Sequence, residues 1–233
     1  MEKQKIEIIK KYGFEFLTIF IGIFAAFALD NWNENRKDNN TELKILAEIN
    51  NGLSQDIRDI GVNVYGHQSG LRATNYFEKL ILNKPIETDS LPFHYFNLLR
   101  DFISVQNISG YETLKSKGLE IVTNDSLRTE ILALYENDYN SLRKLEENYS
   151  EIQFFENYNT DFNNTIAPNF TIDQNGKLTG INRPLKLTEK EHKIILIDLW
   201  KISKNRIFMI KNYTEVKNKI TKLQKHIEKE LKR

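Results

Sequence analysis

The chain has 233 residues, a formal net charge of +1 and no cysteine. The balanced charge gives no broad basic field for nucleic acid, and the lack of cysteine excludes disulfides, thiol nucleophiles and thiolate metal sites. Only four prolines and ten glycines interrupt the sequence, a composition that favours long helices over strands. We therefore expect an all-α fold.

The first predicted element is a single membrane-spanning helix between Tyr12 and Trp32, which would serve as interfacial anchors. Residues 14–29 are almost entirely apolar, with Glu15 and Thr18 as the polar exceptions. Twenty residues of helix extend about 30 Å, close to the thickness of the hydrocarbon core. No cleavage site of small residues follows the apolar run, so we predict an uncleaved anchor rather than a signal peptide.

Basic residues are slightly more numerous before the span than after it. They are Lys3, Lys5, Lys10 and Lys11 before it, and Arg36, Lys37 and Lys44 after it. The positive-inside rule then favours a cytoplasmic amino terminus and a main domain outside the cytoplasm. The predicted organisation is a short cytoplasmic flank (1–11), a transmembrane helix (12–32) and a helical soluble domain (33–233).

The periodicity of the span continues into the soluble domain, which predicts one helix over about residues 5–64. Inside the membrane the repeated face contains Thr18, Gly22 and Ala25, and small residues let helices approach closely in lipid. Beyond the membrane the same register continues mainly with Leu and Ile, at Leu43, Leu46, Asn50, Leu53, Ile57, Ile60 and Val64. Either the whole face is a seam between copies of the chain, or its outer half packs on its own bundle while the span only anchors. For the membrane half, the small residues favour self-association.

Glu15 is the one acidic residue within the apolar run, and an ionisable group in a span is a functional candidate. An oligomeric channel or membrane effector would place Glu15 near its pore. The alternative is an interfacial position, because Glu15 lies close to Tyr12 and can pair with Lys11 four residues earlier. We favour the interfacial position.

The rest of the chain is predicted to form an elongated helical bundle or coiled coil. Its long helices are predicted over about 33–64, 125–165 and 189–231. Shorter helices are predicted over 71–82, 91–104 and 109–117, with an extended segment at 119–122. The stretch 71–82 is either a separate helix or a continuation of the first one. An irregular loop with a small hairpin is predicted at 166–187. Thr188 and Glu191 form a capping box at the last helix, and Thr123 or Asn124 caps the one before it.

No motif for catalysis or metal binding stands out. The four histidines, His67, His94, His192 and His226, are not at close ligand spacing, and there is no phosphate-binding glycine loop or nucleophile elbow. The carboxylates are typical of solvated helix faces, although a site assembled in space stays open as an enzyme alternative. We predict no catalytic residue, no metal site and no cofactor.

Two patches carry a family resemblance. The first runs from Glu15 through Ile21-Gly22 to the exit of the span at Asp30-Asn31-Trp32-Asn33-Glu34, followed by Arg36-Lys37. The second is Ser109-Gly110, followed by Asn124-Asp125-Ser126-Leu127-Arg128. Together they resemble an uncharacterised bacterial family of small single-span membrane proteins with a domain of unknown function. The resemblance implies membrane anchoring and a helical domain, and it implies no activity.

These observations favour a non-enzymatic scaffold or interaction protein of the bacterial inner membrane. Its expected partners are the lipid bilayer, further copies of the chain and an unidentified membrane or extracytoplasmic protein, with no nucleic acid.

Overall fold

In the computed structural model, the backbone is described from Glu2 and the side chains from Gly13, both to Arg233. The side chains of the predicted flank 1–11 and of the predicted anchor Tyr12 lie outside this description. The fold is all-α apart from one hairpin, so the predicted fold class is confirmed. The helices are α1 (Glu2–Ile81), α2 (Leu91–Leu98), α3 (Ser109–Lys117), α4 (Asp125–Leu132), α5 (Tyr139–Asn148), α6 (Phe154–Ile166) and α7 (Glu189–Glu230).

The first helix, α1, does not end near residue 64 but continues without a break to Ile81. It therefore includes nearly all of the helical stretch predicted at 71–82. Its 80 residues extend about 120 Å. Its first half stands free of the bundle: residues 13–32 are all exposed, and the first buried side chain is Glu42. From there on, α1 packs into the bundle. Gly61, Gly66 and Gly70 all lie within the continuous helix.

The core of the bundle is an antiparallel pair formed by α1 and α7. Near one end Gln224 donates to Ser54 Oγ at 2.8 Å, and farther along α1 Arg206 meets His67 at 3.3 Å. The start of α7 is fixed by the predicted capping box of Thr188 and Glu191. The shorter helices and their connections complete the core around this pair.

The buried stripe of α1 repeats every seven residues, but half of it differs from the predicted stripe. Leu46, Leu53 and Ile60 are buried as predicted. The other half lies one residue earlier than predicted, at Glu42, Ile49, Asp56 and Asn63 instead of Leu43, Asn50, Ile57 and Val64. The predicted stripe left out Glu42, Asp56 and Asn63 because they are polar, yet all three side chains are buried inside the bundle. The outer half of α1 therefore packs on its own bundle.

The predicted helix 91–104 ends at Leu98, and residues 99–108 have no regular secondary structure. We call residues 99–108 the crossing segment, because it runs along the outside of α1. Its backbone groups bond to side chains of other helices in place of a helical ladder. The segment 119–122, predicted to be extended, forms a turn of 3₁₀ helix over Leu119–Ile121.

The predicted helix 125–165 is divided into separate helices. Asn124 caps its start, accepting from Leu127 N at 3.2 Å, and a π-helical stretch over Ala133–Asp138 joins α4 to α5. The helix is interrupted after Asn148, and α6 begins at Phe154. The interruption is stabilised by Asp101, whose carboxylate accepts from Phe154 N at 2.9 Å.

The predicted hairpin forms between β1 (Phe170–Ile172) and β2 (Leu178–Ile181), which pair in antiparallel fashion. Asp173 stabilises its turn by accepting from the backbone N–H groups of Asn175 and Lys177, each at 2.9 Å.

Candidate functional site

The first candidate site is the exposed apolar segment of α1, residues 13–32. Within the described residues, α1 is the one helix that is long and apolar enough to cross a membrane. Every side chain of the segment is exposed, including large ones such as Phe16 and Phe20, whose rings stack at 6.2 Å between centroids. An exposed apolar surface of this size marks a site of interaction with lipid or protein.

The predicted association residues all lie on this segment and are all exposed. The hydroxyl of Thr18 donates to the carbonyl of Phe14 at 2.8 Å, so it is satisfied within the helix. Apart from the neighbouring backbone of α1 itself, no described atom lies within 4 Å of the position that a Cβ would occupy at Gly22. Ala25 is likewise exposed. The stripe is thus free to receive another helix at close distance.

Glu15 and Trp32, which the sequence analysis singled out, lie near the two ends of the segment. Glu15 is exposed near the start of the described side chains. At the other end, the guanidinium of Arg36 lies 5.3 Å from the ring centroid of Trp32. A cation over an indole at the end of an apolar run is typical of an interfacial anchor.

The second candidate site is a buried polar network that holds the crossing segment, and the sequence did not predict it. Three carboxylates accept hydrogen bonds from backbone N–H groups of the segment. They are Asp56 with Asn107 N at 2.7 Å, Asp59 with Val105 N at 2.9 Å, and Glu146 with Ser104 N at 3.1 Å. These carboxylates replace the partners that a helix or sheet would supply, which buried backbone requires.

Arg206 supplies the complementary half of the network. Its guanidinium is fully buried and donates to the carbonyls of Leu98 at 2.7 Å and Arg100 at 3.1 Å, at the start of the crossing segment. The guanidinium carbon also lies 4.2 Å from the ring centroid of Phe154. Burial lowers the pKa of Arg206 to about 10, partly opposed by the charge of Asp101. Arg206 therefore stays protonated at neutral pH and binds carbonyls.

His67 completes the contact between α1 and α7. Burial, together with the nearby charge of Arg206, lowers the pKa of His67 to about 3. The ring is therefore neutral at neutral pH, and its Nδ1 atom accepts from Arg206 Nη1 at 3.3 Å. This arrangement fixes the tautomer with the proton on Nε2.

The carboxylates are further bound to tyrosine hydroxyls. Tyr139 donates to Asp56 at 2.5 Å, and Tyr213 donates to Glu146 at 2.6 Å. Burial raises the pKa of both carboxyl groups, although these hydrogen bonds partly oppose the shift. Each acid is thus linked to a second helix as well as to the crossing segment.

Two glycines of α1 make room for the network. A Cβ at Gly66 would overlap the ring of Phe102, and a Cβ at Gly70 would overlap the guanidinium of Arg206. These glycines serve close approach rather than bending of the helix.

The chemistry of the network is mainly that of a structural support. Asp56, His67, Glu146 and Arg206 are each less than 5% exposed, so a substrate would not reach them in this conformation. Among the residues whose side chains are described, no group of three His, Asp or Glu is arranged to hold a metal ion. The sequence does carry a signal for buried polar groups on α1, since Glu42, Asp56 and Asn63 are all buried and lie at multiples of seven residues from one another.

A family model matches residues 15–167, and its description is a family of unknown function, DUF6090. The match covers well over half of the chain, so the chain belongs to this family. The predicted resemblance to an uncharacterised family is confirmed at this level. No curated protein and no solved structure matches the chain.

Proposed function

We propose that the chain is a single-span membrane protein, anchored through α1, whose bundle is a non-enzymatic scaffold or interaction domain. The observation that carries the proposal is the exposure of every side chain over residues 13–32, on a helix that continues directly into the bundle. An apolar helix of this length is stable in lipid, where its backbone is satisfied internally. In water, the same surface would favour aggregation.

The distribution of basic residues supports an inner-membrane protein with its amino terminus in the cytoplasm and its bundle outside. Reporter fusions at the carboxyl terminus test this orientation. An extracytoplasmic reporter should be active and a cytoplasmic one inactive, and the reverse result would invert the proposed topology.

We further propose self-association through Thr18, Gly22 and Ala25. At 3.6 residues per turn, these residues lie about 60–120° around α1 from Leu46, which is buried at the bundle interface. A partner helix on the stripe would therefore lie beside the bundle and would not compete with it for space.

The absence of cysteine from the natural sequence allows a clean crosslinking test in native membranes. Ala25→Cys should form disulfide-linked dimers, whereas Phe20→Cys, on the opposite side of the helix, should not. Crosslinking of both variants to the same extent, or of neither, would contradict a specific seam. Gly22→Leu should weaken the association, with Ile21→Leu as the matched control, because only the former adds bulk to the stripe.

The position of Glu15 favours one second candidate function, an oligomeric channel or effector. On helical geometry Glu15 lies only about 20° around the axis from Gly22, so association through the stripe would bring the carboxylates of several copies together. Ion flux through reconstituted membranes should then fall in Glu15→Gln. Unchanged flux would leave Glu15 as an interfacial residue.

A further inference from the structure

A cleft with a volume of about 490 Å³ lies at the end of the bundle farthest from the apolar segment. It is bordered by the last turns of α1, by the loop that follows them, and by the start of α2. Its size falls in the range of small-molecule sites. Arg72 lies about 65 Å along α1 from Leu29, so the cleft is independent of the membrane contact proposed above.

Two cationic side chains, Arg72 and Lys79, line the cleft, and Arg183 lies close to it. Arg72 is held by neutral partners: it donates to Ser69 Oγ at 2.7 Å, and its guanidinium lies 5.4 Å from the ring centroid of Tyr65. Arg183 donates to the backbone carbonyl of Lys84 at 2.7 Å. In the described part of the chain, none of these cations lies within 4.0 Å of a carboxylate oxygen.

One wall of the cleft is rigid and aromatic. The rings of Tyr76 and His94 stack with 4.3 Å between centroids and an angle of 21° between planes. The hydroxyl of Tyr76 donates to the backbone carbonyl of Glu87 at 3.2 Å, which fixes the wall to the loop. Burial and then the charge of Arg72 lower the pKa of His94, so the positive field of Arg72 reaches this ring.

Glu87 is the carboxylate among the lining residues, and it opposes the effect of Arg72 on the pKa of His94. With Arg72, Lys79 and the neighbouring Arg183, the cations exceed this single acid. Guanidinium and ammonium groups without a carboxylate partner bind oxyanions by charge-assisted hydrogen bonds.

We propose that this cleft binds a small ligand through a phosphate or carboxylate group, held by Arg72 and Lys79 beside the Tyr76–His94 pair. The aromatic pair gives the ligand an apolar surface next to its charged group. The site thus combines an anion-binding corner with an organic wall, as small-molecule sites commonly do.

Titration of the full chain in nonionic detergent micelles tests the proposal. Inorganic phosphate and acetate are the two probes, and their relative affinities distinguish a phosphate ligand from a carboxylate ligand. Calorimetry gives the affinity, and the histidine ring resonances locate the site, because the signal of His94 should shift and that of the buried His67 should not. Lack of binding by both probes, or a shift confined to other histidines, would overturn the proposal.

Variants that remove one charge from the cleft test the direction in which the affinity for the anion changes. Arg72→Gln and Lys79→Gln should each weaken binding about tenfold, the loss expected for one charged hydrogen bond. Glu87→Gln should strengthen binding about twofold, since it removes a screened repulsion. The matched control is Arg58→Gln, an exposed arginine on the same helix about four turns away, and its affinity should be unchanged. Equal affinity in the Arg72, Lys79 and Arg58 variants would also overturn the proposal.

Discussion

Replacement of Gly70 by alanine should destabilise the bundle, because the added methyl group would overlap the buried guanidinium of Arg206. The guanidinium would have to move away from the carbonyls of Leu98 and Arg100, which it now meets at 2.7 and 3.1 Å. Loss of one such charged hydrogen bond, with a buried carbonyl left unpaired, costs about 2–4 kcal/mol. Alanine gains about 0.5–1 kcal/mol in a helix relative to glycine. The free energy of unfolding should therefore fall by about 1–3 kcal/mol.

Gly61→Ala is the matched control on the same helix, because no described atom other than the neighbouring backbone of α1 lies within 4 Å of the Cβ position at Gly61. This variant should be stabilised by about 0.5–1 kcal/mol. The assay is urea denaturation of the full chain in nonionic micelles, followed by far-ultraviolet circular dichroism. A stabilised Gly70→Ala variant would refute the steric argument.

Combining Gly70→Ala with Arg206→Met tests whether the steric overlap with Arg206, and not another effect of Gly70, causes the destabilisation. The Arg206→Met variant should itself lose about 2–4 kcal/mol, because the carbonyls of Leu98 and Arg100 lose their buried donor. In that background the flexible Met side chain can withdraw, and Gly70→Ala should change from destabilising to stabilising. An equal cost in both backgrounds would show that Arg206 is not the group that the methyl group displaces.

Two further variants test the polar network, and a third tests the cap of α4, all by the same denaturation assay. The pKa of His67 is about 3 in the folded chain and near 6.5 when unfolded, so stability should fall by at most about 5 kcal/mol as the pH falls through this window; His67→Gln should lack this loss. Burial raises the pKa of Glu146, so the contribution of this carboxyl group to the free energy of unfolding falls as the pH rises above its pKa in the unfolded chain. The stability of Glu146→Gln relative to the natural chain should therefore be higher at about pH 8 than at about pH 4. Asn124→Ala should cost about 1–2 kcal/mol through loss of the α4 cap, and an unchanged midpoint would contradict that role.

The fold class was predictable because helical periodicity and capping residues are local signals. Thr188 and Glu191 are three residues apart, and their capping box forms as predicted. The turn of the hairpin is likewise encoded by Asp173 and its neighbours. Such elements depend on side chains that lie within a few residues of the backbone they stabilise.

The crossing segment was not predictable, because its stability depends on partners distant in sequence. The residues 99–104 carry a helical pattern, yet the carbonyls of Leu98 and Arg100 bond to Arg206, more than a hundred residues away. Similarly, Glu146 binds Ser104 across 42 residues. Carboxylates such as Asp56 were predicted on solvated faces, because polarity alone does not distinguish a solvated carboxylate from a buried one.

The proposed association stripe was predicted from the sequence, and its exposure became visible only in the structure. Thr18, Gly22 and Ala25 share one side of a helix in any model of the span. That no other described part of the chain packs on them became clear only when the bundle proved to begin at Glu42.

The continuity of α1 has a mechanical consequence. All four prolines of the chain follow residue 84, so proline kinks are absent between the apolar segment and the end of the helix at Ile81. A rotation or tilt of the apolar segment should therefore be transmitted along this continuous helix to Arg72 and Lys79. Because the same helix forms one half of the bundle core, the apolar segment and the bundle should reorient together.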